Sequence, residues 1–465
     1  MKTKKEYNPK LLILFALPLF LNFLVNVFTG EISPRFSLVA FYMFISTMLY
    51  VVFYFYLGYL IKKILKLENI SYGVVIYFLS FFIIDNTFLF ITKNITFRNL
   101  HLAVSILWIL LLIIRMRFSK EIFILIGLKL LLILYNFFIL LRIPLTFEFD
   151  GDVKSMWLPW VESIHTNNSF YLMSNSSREG AGILISHVQS TIFNEGFPFS
   201  DYFFVPPTSY FLFFLGILFL FELKIHRNIN IFLIIFFSLL ILNSEWLNYL
   251  FASSLMSEGV LSILFCIIFI NFLDINNSDS SKSNVLFSFL LLSHLFHTKF
   301  FINIIVYLII FTLAFYKKEI LGISISLFTL ILNEINYRFL LPGISRNELL
   351  QEVNISTLTE SGITGLEYSN IIKIFNHIFT DKPMVYLIVL GCALHIINLK
   401  LNRLSLSSNN SATLLIVNLI FVILLYIAIW KDVEYESAYR YILNLFHLIL
   451  FWLVVNLDNL FYKKR

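Results

Sequence analysis

The feature that most constrains this chain is a succession of long apolar runs that recurs from one end to the other. Of its 465 residues, 59% are hydrophobic and only 13% are charged, and the mean hydropathy is +0.85. A soluble protein of this length could not bury so much apolar surface, because a folded chain keeps a large share of its surface exposed. The composition excludes a cytosolic enzyme, a secreted disulfide scaffold and a disordered chain, and it predicts a polytopic membrane protein.

About fourteen of these runs are long enough to cross the hydrocarbon core of a bilayer, which is roughly 30 Å thick. Glycine and proline fall mostly between the runs, and no strand-like alternation is present, so the runs predict helices rather than a barrel. The expected fold class is all-α, a polytopic transmembrane helical bundle. The predicted spans are 11–28, 37–61, 71–92, 100–114, 121–141, 203–221, 229–244, 247–273, 285–297, 300–316, 319–340, 383–399, 412–430 and 438–461.

The basic residues favour one orientation of these spans. With the amino terminus in the cytoplasm, every short inside connection is basic, as the positive-inside rule requires. For example, Lys62, Lys63 and Lys66 follow the second span, and Lys400 and Arg403 follow the twelfth. The prediction is therefore a cell-membrane protein with both termini cytoplasmic. This distribution accounts for the net charge of +6, and no nucleic-acid partner is expected.

In this topology two long loops, about 142–202 and 341–382, lie outside, and both are rich in Asp, Glu, Ser and Asn. Loops of this length are uncommon unless they are functional. The second one is either a cover for an acceptor or an ordered loop without chemistry. The predicted regions are amino-terminal transmembrane helices at 1–141, the first external loop at 142–202, a transmembrane core at 203–340, the second external loop at 341–382 and carboxy-terminal transmembrane helices at 383–465.

Asp150 and Asp152 stand directly after a predicted span, and Trp157 and Trp160 follow them. Tryptophan favours the membrane interface, so this segment is expected on the surface of the outer leaflet. A carboxylate held there can meet both a lipid-linked reactant in the bilayer and a polar acceptor in the water. The alternative is an Asp-Gly-Asp turn that merely begins an interfacial helix.

Four further features are expected on or near the same outer face. Pro206 and Pro207 stand at the entry to a span, and Glu258 lies in the outer half of another, where a charge is costly and usually functional. A broken hydrophobic pair is joined by His297-Thr298-Lys299, and the last span opens with Arg440-Tyr441.

The order of these five features along the chain resembles that of the GT-C superfamily of integral-membrane glycosyltransferases. The features are the acidic loop, the Pro-Pro pair, the acid within a span, the Thr-Lys pair and the Arg-Tyr pair near the carboxyl end. The resemblance covers roughly 142–316 and 431–445. It implies a donor sugar linked to a polyprenyl phosphate and a catalytic aspartate in the first large external loop. In the family that aspartate commonly precedes a tryptophan by five positions, as Asp152 precedes Trp157. Here the loop follows the fifth span instead of the first, and Phe-Val-Pro-Pro replaces the usual Tyr-Pro-Pro.

The resemblance implies a role for each candidate residue. Asp152, or Asp150 as the second candidate, would accept the proton of the acceptor hydroxyl. Lys299 and Arg440 would bind the phosphate, and Glu258, His297 and Tyr441 would contribute to substrate binding. The expected partners are a polyprenyl-phosphate-linked sugar, a glycan, lipid or protein acceptor, and the bilayer. No cofactor is certain, and whether a divalent cation takes part stays open.

Each assignment has an alternative. Lys299 would simply extend to the interface, Arg440 would pair with Glu434 or Glu436, and Glu258 would form a hydrogen bond between helices. His294 and His297 have the spacing of metal ligands but no third ligand nearby, so no metal site is predicted. Cys266 and Cys392 lie in apolar runs and are expected to be small buried hydrophobic residues without a disulfide. The rival functions are a polysaccharide polymerase and a multi-pass transporter or lipid flippase.

Overall fold

The computed structural model describes residues 54–91, 257–274, 320–335, 382–428 and 445–461, together with isolated positions in 103–114, 215–223, 236, 287–288, 372 and 376. Within these ranges the chain is helical apart from short turns, and none of these residues forms a strand. The helical stretch 54–65 is named α1. The other helices are α2 (Ile70–Ile91), α3 (Ser257–Asp274), α4 (Ile320–Ile335), α5 (Lys382–Lys400), α6 (Leu406–Ala428) and α7 (Phe446–Phe461). The all-α prediction is confirmed for the part of the chain that is described.

Helix α7 lies at the centre of these elements and packs against α3, α5 and α6. Every side chain from Phe446 to Leu457 is buried. A helix that is apolar on all sides needs neighbours on all sides, and three packed helices provide them. Three polar residues of α7, His447, Asn456 and Asn459, form hydrogen bonds with neighbouring segments.

The directions of α5 and α6 follow from their contacts with α7. Gly391 of α5 packs on Trp452 of α7. Later on both helices, Asn398 of α5 donates to Asn456 of α7. The two helices therefore run parallel. On α6 the order is reversed. Ser408 donates to Asn456 Oδ1, whereas Ser405, just before α6, accepts from Asn459. Helix α6 is therefore antiparallel to both.

The turn between α5 and α6 is fixed by its caps. Asn402 has a φ of 51°, and the amides of Asn402 and Arg403 donate to the carbonyls of Leu399 and Asn398. This pattern is a Schellman cap, which requires a left-handed residue after the last helical turn. Ser405 then caps α6, because its hydroxyl accepts from the backbone N–H of Ser408 at 3.3 Å. The chain reverses within five residues.

Helices α1 and α2 form a close hairpin. A Cβ on Gly73 would collide with the carbonyl oxygen of Gly58, so the two backbones touch at a point where only glycine fits. Beyond this contact, the ring of Tyr54 packs on Phe78 at 5.1 Å and on Tyr77 at 5.9 Å. The turn resembles the one before α6, because Lys66 has a φ of 56° and Leu67 N donates to Lys62 O.

Several predicted boundaries differ from the observed ones. The span predicted at 412–430 corresponds to α6, which begins six residues earlier, at Leu406. Hydropathy misses this first turn because it is polar, while the Ser405 cap and the burial of Ser408 against α7 hold it in the helix. The spans at 71–92 and 383–399 agree with α2 and α5 to within one residue at each end. The predicted spans 11–28, 121–141 and 300–316 and the loop 142–202 lie outside the described residues.

No helix in the described ranges is both long enough and apolar enough to cross a membrane. The prediction for the two cysteines is half right. Cys266 is buried in α3, but Cys392 is exposed on α5. Both thiols are free.

Candidate functional site

Of the predicted site residues, Glu258 alone falls within the described residues, as the second residue of α3. The positions of the others are not described, and their proposed roles stay predictions. These residues are Asp150, Asp152, His297, Lys299, Arg440 and Tyr441.

Two contacts identify the side of α3 on which Glu258 lies. Ser262 Oγ is 2.6 Å from His447 Nδ1, and Cys266 Sγ donates to the carbonyl oxygen of His447 at 3.4 Å. Residues four apart share one face of a helix, and Glu258, Ser262 and Cys266 form such a series. The face of α3 that carries Glu258 is therefore the face that packs on α7.

The same two contacts give the direction of α3. A helical side chain leans towards the amino terminus of its helix, whereas its carbonyl points towards the carboxyl terminus. Ser262 meets the imidazole of His447, and Cys266, one turn further on, meets the carbonyl of the same residue. The contacts therefore run from the amino towards the carboxyl end on both helices, so α3 and α7 are parallel. Glu258 lies at the end of this interface where α7 begins.

Tyr441 and Arg440 precede Leu445, the residue before α7, by four and five positions in the sequence, and both lie outside the described residues.

A second buried cluster lies near the opposite end of α7. Asn456 is its centre: Asn456 Oδ1 accepts from Ser408 Oγ at 2.8 Å, its backbone carbonyl accepts from Asn398 Nδ2 at 2.8 Å, and its own Nδ2 donates to Trp452 O at 2.9 Å. His395 Nδ1 is 3.1 Å from the Ser408 hydroxyl. We call these residues, Asn398, Ser408, Trp452, Asn456 and His395, the Asn456 cluster. It links three helices through amide, hydroxyl and imidazole groups.

Two buried polar atoms at the edge of the Asn456 cluster, Asn398 Oδ1 and Trp452 Nε1, have no hydrogen-bond partner within the described part of the chain. Leaving such an atom unpaired costs roughly 1–3 kcal/mol. Next to the cluster, Arg403 Nη1 donates to the carbonyl oxygen of Leu460, near the carboxyl end of α7, at 2.7 Å. The arrangement contains no carboxylate, so its chemistry is hydrogen bonding between helices and not acid–base exchange.

A third cluster connects α2 with distant parts of the chain. Tyr72 donates its hydroxyl proton to Asn271 Oδ1 at 2.9 Å, and Asn271 Nδ2 donates to Ser288 Oγ at 2.8 Å. The two carboxylate oxygens of Glu222 accept from the backbone amides of Ile70 and Ser71, each at 2.8 Å. A carboxylate that accepts from the first amides of a helix satisfies donors that have no partner within the helix and complements its dipole.

Sequence reasoning did not single out the residues that these clusters use. Ser262, Asn271, Asn398, His447 and Asn456 are polar positions inside apolar runs, which is a signal that membrane-protein sequences offer. A polar residue inside an apolar run indicates a contact between helices, but it does not identify the helix that provides the partner.

None of the residues whose placement is known forms a group of three His, Cys, Asp or Glu side chains that could hold a metal ion. Comparison with protein families, with curated proteins and with solved structures finds no match to this chain.

Proposed function

We propose that this protein is a polytopic membrane glycosyltransferase. It has about fourteen spans and both termini in the cytoplasm. It moves a sugar from a polyprenyl-phosphate donor to a glycan, lipid or protein acceptor at the outer face. The observation that carries the proposal is the position of Glu258 on the α7-facing side of α3, at the end from which the chain runs back to Arg440 and Tyr441. An acid inside a proposed span, with Arg440 a few residues before α7 in the sequence, suits a site that handles a sugar phosphate.

The distribution of apolar side chains supports a bilayer environment. On α4, Ile320 and Phe328 are 72% and 69% exposed, while Ser326 on the same helix is fully buried. A water-soluble helix has the opposite arrangement, with apolar residues inside and polar residues outside. Val389, Ile396 and Leu399 on α5 and Ile416 and Ile420 on α6 are exposed in the same way. Lipid tails are the solvent that such a surface fits.

The clusters also fit the topology drawn from charge. In that topology the carboxyl ends of α1, α3, α5 and α7 and the amino ends of α2 and α6 all lie at the cytoplasmic side. The hydrogen bonds of Glu222 with Ile70, of Asn271 with Tyr72 and of Asn459 with Ser405 each join two segments that charge counting puts on this side. Each of these hydrogen bonds is consistent with the proposed orientation of the two spans that it joins.

The reaction follows from the proposed roles. The oxygen of the acceptor hydroxyl attacks the anomeric carbon of the sugar, and its proton passes to Asp152, or to Asp150. The bond between that carbon and the phosphate oxygen breaks, and the lipid phosphate leaves with the electron pair. Lys299 and Arg440 stabilise the negative charge on the leaving phosphate. Base and leaving group on opposite sides of the sugar give inversion at the anomeric carbon, by the logic of the glycosidase geometries.

The base is tested by Asp152→Asn, with Asp150→Asn as the matched variant two residues away. Asparagine keeps the size of the side chain but does not take the proton, so transfer by the Asp152 variant is expected to fall about a hundredfold or more. Sugar transfer is measured with purified enzyme and a polyprenyl-phosphate-sugar donor, alongside donor binding, which is expected to change little. Near-normal transfer by both variants would reject a carboxylate base in this loop and favour the polymerase or the transporter.

The topology is tested by labelling single cysteines in intact cells with a membrane-impermeant maleimide. Ser176→Cys, in the first external loop, is expected to react, and Leu401→Cys, exposed in the turn after α5, is expected to react after the membrane is opened. Ser408 is unsuitable as an inside probe because it is buried against Asn456. Labelling of Leu401→Cys in sealed cells would reverse the orientation and with it the side of the active site.

A further inference from the structure

We infer that the exposed face of α5 binds an anionic phospholipid, with the head-group phosphate beside Lys400 and an acyl chain along Val389, Ala393 and Ile396. The site depends on the bilayer location that is part of the proposed function, but it does not depend on sugar transfer. All four residues lie in the described part of the chain.

The exposed face of α5 is a single stripe. Val389, Ala393, Ile396 and Lys400 are all exposed, and their spacing of four, three and four residues puts them on one side of the helix. Asn398, which bonds to α7, lies on the opposite side. The stripe is about 16 Å long, since a helix rises about 1.5 Å per residue, and this is about half of the roughly 30 Å hydrocarbon core. It therefore matches the depth of one leaflet.

The charge at the end of this stripe has the sign that an anionic head group requires. Lys400 is exposed in the last turn of α5, and the sequence holds no acidic residue between Lys382 and Ala428. Neither α5 nor α6 therefore offers Lys400 a carboxylate. A lysine at the level of the lipid phosphates is attracted to an anionic leaflet, by about 1 kcal/mol, or fivefold in affinity.

The turn after α5 brings a second cation to the same end of the helix. The amide of Arg403 donates to the carbonyl oxygen of Asn398, and its Nη1 donates to that of Leu460 at 2.7 Å. Arginine has five N–H donors, so a guanidinium that is held in this way has others to offer to a phosphate. An ammonium and a guanidinium three residues apart suit a lipid phosphate.

Apolar side chains beside Lys400 favour a lipid over a soluble phosphate. Leu399 and Leu401 are 58% and 49% exposed, and Leu406, at the start of α6, is 61% exposed. Along the stripe itself, Val389 is 58% exposed. A soluble anion would leave this surface uncovered, whereas a phospholipid places its phosphate at the cations and its acyl chains on the aliphatic side chains.

The head-group preference is tested on the full-length protein with two lipids that share their acyl chains, dioleoyl phosphatidylglycerol and dioleoyl phosphatidylcholine. Each is added to the protein in detergent micelles, and native mass spectrometry measures the bound lipid. We expect phosphatidylglycerol to bind more tightly, and Lys400→Gln to weaken it about fivefold while phosphatidylcholine is unchanged. Lys400→Arg should keep the preference. Lys382→Gln, at the opposite end of α5, is the matched control and should bind like the wild type.

Three results would overturn the inference. In the first, Lys400→Gln keeps the full preference for phosphatidylglycerol. In the second, Lys382→Gln loses as much as Lys400→Gln, which would indicate attraction by net charge. In the third, an excess of sn-glycerol 1-phosphate displaces the lipid, which would indicate a site for a soluble anion.

The course of the acyl chain is tested with a phosphatidylglycerol that carries a diazirine on one acyl chain. After irradiation, mass spectrometry of peptides should find the label on α5 between Val389 and Ile396, and less of it in Lys400→Gln. Labelling confined to other segments would overturn the inference. Sugar transfer is assayed separately. If the wild type transfers no sugar while the lipid results hold, the proposed function fails and the lipid site stands; transfer without a preference for phosphatidylglycerol would remove the site alone.

Discussion

Helices α7 and α4 are both dominated by apolar residues, yet they occupy opposite environments. Almost every side chain of α7 is buried, including Asn456 and His447, whereas α4 exposes Ile320, Phe328 and other large apolar side chains. Their composition does not distinguish them. Helix α7 bonds to three described helices through polar side chains.

The comparison indicates which side chains decide how the helices are arranged. In the proposed bilayer environment an apolar side chain gains little by exchanging a lipid tail for another helix, so apolar surface alone would not decide which helix is central. A polar side chain in an apolar run does decide it, because the group has to find a partner within the protein. On α4, Ser326 is buried, whereas its apolar neighbours Leu327 and Phe328 are exposed.

The largest effect is expected at the centre of the Asn456 cluster. Asn456→Leu keeps the volume but removes the acceptor of Ser408 and the donor to Trp452 O, and it should lower the free energy of unfolding by about 3–4 kcal/mol. Unfolding is measured in mixed micelles at increasing mole fraction of sodium dodecyl sulfate. Asn409→Leu, at an exposed position on α6, is the control and should be nearly neutral. Equal losses in the two variants would mean that the hydrogen bonds of Asn456 add no stability of their own.

A charge on the exposed face of α4 tests the other half of the comparison. In the proposed topology α4 belongs to a membrane span. Phe328 lies near the middle of the helix, and an aspartate at the centre of a membrane span costs about 2.5–3.5 kcal/mol. Phe328→Asp should therefore reduce insertion of this segment in a translocon glycosylation assay, while Phe328→Leu should insert like the wild type. Full insertion of the aspartate variant would indicate that α4 faces water or another polar surface.

The smallest effect sharpens the comparison at the α5–α7 contact. A Cβ on Gly391 would lie 2.5 Å from Cζ3 of the buried Trp452, so Gly391→Ala overpacks the interface and should cost about 1–2 kcal/mol. Ala393→Val, on the exposed side of α5, should cost almost nothing in the same micelle titration. The loss at Gly391 should largely disappear in a Trp452→Leu background. If it persists there, the strain comes from the backbone of α5 and not from the indole.

Much of the helical content follows from the sequence. Uninterrupted apolar runs forced the backbone to satisfy its own hydrogen bonds, and the bounds of α2 and α5 were predicted to within a residue. The polar first turn of α6 was missed because hydropathy reads Ser405 to Asn410 as a loop, although Ser405 caps a helix there. For the candidate site, the sequence selected Glu258 as an acid in a span but gave no partner for it.

What the sequence alone determined is that this chain forms apolar helices with basic connections and a small set of polar residues within the runs. Only the tertiary structure decided that Ser262 meets His447 and that Asn398 meets Asn456. The physical reason is that hydropathy and helix period act within about one turn, whereas these bonds join residues 58 and 185 positions apart. Which polar side chain finds which is settled by the packing of whole helices, and that packing places Glu258 at the end of α3 where α7 begins.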